Sequence, residues 1–334
     1  MIILNKEVIK TITFVGDSHF TSATPKSRVD DYAETSIEKL ESLLDICITK
    51  GYKHLVHLGD FSHIPNQPLS YVNAIIEVFQ KFQDNGIKWY GIYGNHDLVH
   101  NDLDNSNKSL LGLMFKTGLI KELRTELFTT KEGYDIALHG YHYPEAIQPL
   151  MAREIKGKVN ICVMHRYFEY RFSKSSLDRN QLSQLGYQVY ATGHEHPPYD
   201  VMKFEDFTLI RPGRFMRGTS DKHNVEDGNV YIDTISFNGS IEQPRLTCIR
   251  DIIPTKLPSN VFSILALNKD KESNKFLSDL SSKVSNLLDM MDSTSGTTNN
   301  VYSVLDKLQI DIRIKDRVES YLHKEGIYRN DSII

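Results

Sequence analysis

Cysteine is scarce in this chain: Cys47, Cys162 and Cys248 are the only three in 334 residues, and no two form a CxxC pair. That excludes a disulfide-stapled scaffold and a thiolate zinc ribbon, and it fits a reducing compartment. Long apolar runs are missing as well. No stretch approaches the ~20 residues needed to cross a bilayer. The opening MIILNKEVIKTITFVGD has no apolar segment followed by a small-residue cleavage site. The expectation is a soluble, cytoplasmic protein with no membrane partner. A strong charge of one sign is also absent, since 39 Lys and Arg face 43 Asp and Glu for a formal net charge of -4. Bulk attraction to nucleic acid gains no support from that balance, although a basic patch can be local and metal-ligating carboxylates are neutralised on binding. The ordinary apolar (40%) and charged (25%) fractions exclude a collagenous or disordered chain.

What is present is an alternation of short apolar runs and amphipathic stretches. Thr11–Val15 reads as a buried strand ending at Gly16-Asp17. From Tyr32 to Lys50, Ile37, Leu40, Leu44 and Cys47 recur at helical spacing, with Gly51 as the C-cap. His54–Leu58 is a strand ending at Gly59-Asp60, and Val72, Ile75, Ile76 and Phe79 mark a helix from about Leu69 to Asn85-Gly86. Ile87–Tyr93 is a strand ending at Gly94-Asn95-His96-Asp97. Val159–Met164 ends at His165, and Tyr187–Thr192 ends at Gly193-His194-Glu195-His196, with a short helix near Leu177–Leu185 between them. Hairpins follow, with Asn238-Gly239 as a turn signal. Strands alternating with helices predict an α/β layered fold. Composition shifts near Ile253-Pro254, so two domains are expected, residues 1–250 and 251–334, the second a small α+β unit.

Five strands thus end in turns that carry Asp, His or Asn. Strand carboxyl ends line up along one edge of a layered α/β fold, and ligand sites form there. Carboxylates, imidazoles and one amide oxygen, without thiolate, suit Mn²⁺, Fe or Zn²⁺. Seven or eight such ligands exceed what one ion needs and suffice for two, the standard clamp for hydrolysing a phosphate ester. Other histidines read as structural. His54 and His57 lie inside a strand, His139 and His142 duplicate no needed ligand, and His100, His223 and His323 are expected in solvent.

The ordered set GDSH, GDFSH, GNHD, MH and GHEH resembles the signature of the calcineurin-like metallophosphoesterase superfamily over about residues 11–215. The resemblance implies a four-layer α-β-β-α sandwich with two metal ions. It implies Asp17, His19, Asp60 and His196 on the first ion, and Asp60 as bridge with Asn95, His165 and His194 on the second. His96 would stand beside the leaving group as general acid. The turn Asp60-Phe61-Ser62-His63, lacking the Arg of the protein phosphatases, is most similar to the SbcD-type DNA double-strand-break repair nucleases, where His63 would assist the transition state. That branch implies a manganese-dependent DNA exonuclease/endonuclease with two Mn²⁺ (Fe, Zn or Mg as alternatives). It further implies a C-terminal capping domain, an SMC-like ATPase partner of the SbcC type, a homodimer, and a role in DNA repair and recombination in a bacterial or phage-infected cell. Arg211, Arg214 and Arg217 are the local candidates for gripping DNA phosphates, Arg214 standing where that family has a small residue. The rival readings are a small-molecule phosphodiesterase or phosphatase on the same scaffold, and a non-catalytic DNA-tethering subunit.

Overall fold

The computed structural model describes residues 6–150, 158–169, 176–221, 223–263 and 267. The chain divides into two units, Met1–Ala266 and Leu267–Ile334. Apart from Leu267, the second unit lies outside the described residues, and with it all of the expected capping domain beyond residue 263 except Leu267. Residue 250, near which composition shifts, sits within a strand of the first unit.

In chain order the first unit runs β1 (Glu7–Val8), β2 (Thr11–Val15), α1 (Tyr32–Lys50), β3 (His54–His57), α2 (Leu69–Asp84), β4 (Lys88–Gly91) and α3 (Leu110–Thr117). It continues with β5 (Lys121–Glu122), β6 (Thr125–Thr129), β7 (Asp135–Gly140), β8 (Val159–His165), α4 (Arg179–Leu185) and β9 (Val189–Gly193). The last elements are β10 (Tyr199–Lys203), β11 (Thr208–Arg211), β12 (Val230–Gly239), β13 (Pro244–Ile253) and α5 (Pro258–Val261). They form a six-stranded sheet, β13-β12-β2-β3-β4-β5, and a seven-stranded sheet, β1-β6-β7-β8-β9-β11-β10.

Period-two alternation decides the layers. In β2, Ile12 and Phe14 face the other sheet, where they meet Ile136, Ile161, Val163 and Val189. Val15 turns the other way, onto the layer of α1, α2 and α3 with Leu40, Leu43, Ile75 and Phe79. In β8, Ile161 and Val163 face the inter-sheet core while Cys162 and Met164 pack outward with Leu182 of α4. The result is the expected α-β-β-α sandwich. Each fully buried large side chain contributes about 1.5–3 kcal/mol, so three such apolar layers hold the strand ends in place. The central strands β2, β3 and β4 are mutually parallel, as are β7, β8 and β9, so both sets direct their carboxyl ends to the same kind of edge.

Helix α1 begins where Asp31 accepts from the Glu34 N–H and ends at Gly51 in the left-handed region (φ 72°). One turn differs from expectation. Asn238-Gly239 stays in strand, Gly239 pairing with Pro244, and the hairpin closes over residues 240–243 with the Ser240 N–H donating to the Gln243 carbonyl. Among the described residues no helix is long and apolar enough to cross a membrane.

Candidate metal centre

The turns after β2 and β3 run side by side. The N–H groups of Ser18 and His19 both donate to the Asp60 carbonyl (3.1 and 2.9 Å), and that of Phe20 donates to Phe61 (2.9 Å). Asp97 is fully buried and ties the third turn to them, its carboxylate accepting from the N–H groups of Phe61 (3.2 Å), Ser62 (2.9 Å) and Gly94 (3.0 Å). The glycine that precedes these polar residues has a steric reason. A Cβ on Gly94 would stand 2.2 Å from Asp60 Oδ1, and one on Gly193 would stand 2.5 Å from Asp17 Oδ1. His19, Asp60 and His194 all adopt positive φ (46°, 54° and 81°) without being glycine. Such backbone costs about 1–3 kcal/mol each and persists where the surroundings over-determine it.

Two groups of side chains emerge at the edge where the sheets meet. The first is Asp17, His19 and His196, and the second is Asp60, His165 and His194; within each, the offered ligand atoms lie within 4.8 Å of one another. Asp60 Oδ2 faces both, 3.3 Å from His165 Nε2 and 3.8 Å from His19 Nε2. Asn95 Oδ1 lies 3.2 Å from His165 Nε2, and His194 Nδ1 lies 3.1 Å from it. All seven residues expected as ligands are therefore gathered in one place. A third group, His19, His63 and His96, stands at the outer mouth, the His63 and His96 rings stacked with centroids 5.3 Å apart.

The donor chemistry of the second group fits a cation. His165 Nδ1 lies 2.9 Å from the Leu58 carbonyl, which can only accept, so Nδ1 carries a proton. In the neutral ring Nε2 is then a bare lone pair, directed among a carboxylate oxygen, an amide oxygen and a second imidazole nitrogen. That backing carbonyl is the support a metal-bound imidazole uses. The first group has the same donor types and a different backing. The Arg214 guanidinium, which can only donate, contacts His196 Nδ1. The neutral His196 ring therefore holds its proton on Nε2, 3.0 Å from His19 Nε2, and would bind a cation there only after that proton moved to Nδ1 and the Arg214 contact was given up.

Burial governs the titration of these groups. It lowers the pKa of His194 and His196 to about 3 and lowers that of His19, with neighbouring cations adding to the effect. All three are neutral near pH 7. Burial raises Asp17 to about 8. Burial works against the His165–Asp60 ion pair, but the carboxylate outweighs it, raising His165 to about 9 and holding Asp60 below the usual carboxylate range. Asp97 is raised to about 6 by burial and by Asp60.

The arginines do not behave alike. Arg211 is buried and pairs with Glu195 (2.8 Å), which also accepts from the Phe168 N–H, so this pair braces the GHEH turn. Arg217 is buried with its amino groups on the carbonyls of Asn224 and Lys256. Neither lines the cavity that opens from the site, which corrects the expectation that they grip DNA phosphates there. Arg214 alone lines the cavity of about 170 Å³ that opens from the site, together with His19, His63, His96, His196 and Tyr32. His57 is structural, bonded to Ser18 Oγ (2.7 Å), and His142 likewise sits between the Tyr93 N–H and Glu122. Sequence reasoning missed the bracing roles of Asp97 and of Glu195 with Arg211. Both acids lie inside quoted motifs, so the signal was a motif acid left without a role.

Two mixed sheets packed face to face, with Asp, Asn and His gathered at their strand ends, define a metal-dependent phosphoesterase architecture. Residues 10–198 match the calcineurin-like phosphoesterase family, more than half of the chain, and the protein belongs to that family. Solved structures similar to it include a dimetal phosphatase from Danio rerio, at 12% identity and a TM-score of 0.41, covering 74% of this chain and 100% of that one. Vacuolar protein sorting 29 from Cryptosporidium parvum is also similar, at 12% identity and a TM-score of 0.35, covering 73% of this chain and 98% of that one.

Proposed function

We propose that the protein is a manganese-dependent DNA exonuclease/endonuclease of the SbcD type, working with an SMC-like ATPase and a second copy of itself. The observation that carries this reading is the stacked pair His63 and His96 at the mouth, beside rather than within the two inner groups. A phosphodiester expels an alkoxide, a poor leaving group that a positioned imidazole can protonate; general acid catalysis of that kind supplies about 10²–10⁴-fold. The His96 ring is oriented by its Nδ1–H, which donates to the His63 carbonyl (2.9 Å), so the acid is the imidazolium, whose second proton, on Nε2, goes to the leaving oxygen. His63 is exposed and unneeded by either inner group, which suits a contact to phosphate oxygens. Asp17, His19, Asp60, Asn95, His165, His194 and His196 would hold two ions. Such a pair, when bound, activates water and neutralises charge developing on phosphorus oxygens.

One observation favours a second reading, a phosphodiesterase acting on small molecules. The cavity beside His63 and His96 is walled by Pro25, Tyr32 and Met216, an apolar surface that suits a single organic group. Incubation of the full chain with Mn²⁺, end-labelled linear duplex DNA and bis(p-nitrophenyl) phosphate, with and without chelator, separates the two. The proposal expects chelator-sensitive release of nucleotides. Hydrolysis of the ester with the DNA intact, and still intact after an SMC-like ATPase is added, would overturn it in favour of the small-molecule enzyme.

A further inference from the structure

A second cavity, of about 200 Å³, is lined by Arg28, Thr35, Glu38, Lys39, Arg217 and Lys256 among others. Four cations surround it, and two are neutralised. Arg28 gives Nε and Nη2 to the Asp30 carboxylate (2.7 and 2.6 Å), and Lys256 pairs with Glu38 (2.7 Å). Lys39 and Arg217 have no carboxylate partner among the described residues, although they are only 4% and 2% exposed. Lys39 Nζ has three protons to give and one acceptor, the Phe215 carbonyl at 3.0 Å. Arg217 Nε is buried without a hydrogen-bond partner.

A buried charge with unused donors is expensive unless something of opposite sign sits against it. Here two such cations, from α1 and from the segment after β11, line one cavity. Burial pushes the Lys39 ammonium well below its ordinary pKa and Arg217 down to about 10, with like charges adding to both effects, which is the penalty an anion would relieve. The Thr35 and Thr255 hydroxyls on the same wall already give their protons to the Asp30 carboxylate and the Gly228 carbonyl, so the unused donors are those of the two cations. A point-charge ammonium and a guanidinium N–H from separate segments, both with unused donors, match an oxyanion, which accepts from several directions at once.

We propose that this cavity is an anion site that takes a phosphate group, either the free ion or the terminal phosphate of a nucleotide chain. It is distinct from the candidate metal centre and adjoins it through the backbone. Lys39 bonds the Phe215 carbonyl, while the Phe215 N–H donates to the Asp17 carbonyl at 2.8 Å. The proposal does not depend on the nuclease reading.

The test is binding of inorganic phosphate to the full chain with its metals removed by chelator, which leaves the acidic centre without pull on anions. One equivalent should bind, and Lys39→Met and Lys256→Ala should each weaken it at least tenfold. Lys256 is exposed and on the rim, so Lys256→Ala decides the matter if the buried variant fails to fold. A 5′-phosphorylated oligothymidylate that displaces phosphate where its 5′-hydroxyl twin does not would assign the nucleotide source; displacement by neither, with phosphate still bound, assigns the free ion. No phosphate bound at millimolar concentration, or binding unaltered in the Lys256→Ala protein, would overturn the proposal.

Discussion

The two groups at the strand ends use the same residue types and differ in what stands behind them. His165 of the second group is backed by an acceptor, the Leu58 carbonyl, which keeps its Nε2 free of a proton in the neutral ring. His196 of the first is backed by a donor and a positive charge, Arg214, which loads its Nε2 with a proton. A backing carbonyl raises the basicity of a ligand, whereas a backing cation lowers it. If the groups hold ions as proposed, the second is the tight site and the first the weak one. The sequence motifs treat the two alike; the difference lies in which atom touches the far nitrogen.

The most drastic way to break this contrast is to remove the residue common to both groups. Asp60→Ala should lose both ions and all activity, and a variant that still bound two by elemental analysis would remove the bridging role. Next in size, His63→Ala should keep two ions while turnover falls about 10²–10⁴-fold, the range for a positioned acid–base or phosphate-contacting group. Loss of an ion on that substitution would mean that the outer group and the first group, which share His19, act as one site. Asp97→Asn substitutes an amide where three backbone N–H groups now find a carboxylate, and should weaken both sites about 10–100-fold, the cost of losing outer support. Metal titrations of that variant would expose a lopsided effect if Asp97 braces only one group.

Arg214→Ser sharpens the comparison from the other side. Removing the guanidinium from His196 should strengthen the first site about tenfold and leave the second unchanged. Equal affinities before and after would mean that Arg214 does not set the difference. The pH dependence is the gentlest lever. In the metal-free protein His165 and Asp17, raised to about 9 and about 8, hold protons at pH 7 that an entering cation must expel. Affinity should therefore climb from pH 6 through 8–9, by about tenfold per unit for each proton released, and then level off. Proton release measured in weakly buffered solution gives the number directly.

Much of this was written in local pattern. The strand Thr11–Val15 and the helix Tyr32–Lys50 were predicted with the bounds observed, because buried parallel strands read as apolar runs and α1 carries its C-cap glycine. The seven residues expected as ligands could be placed at one edge because each follows a strand and strand ends converge. The β6–β7 hairpin was not legible; Thr125, Glu126 and Thr129 are polar, and pairing with β1 and β7 rather than alternation makes them strand. The turn after β12 was misplaced by two residues because Gly239 takes a positive φ inside the ladder instead of at the turn. The fates of Arg211 and Arg217 were invisible for another reason. Their partners, Glu195 and two backbone carbonyls, are fixed by tertiary packing, and nothing in the RxxR spacing distinguishes a braced guanidinium from a free one.

The central claim, two unequal sites sharing one carboxylate, is tested most directly by calorimetric titration of the metal-free full chain with Mn²⁺. The account predicts two ions per chain, entering in two resolved steps at least about tenfold apart. A single ion per chain, or two that enter as one class of identical sites, would contradict it.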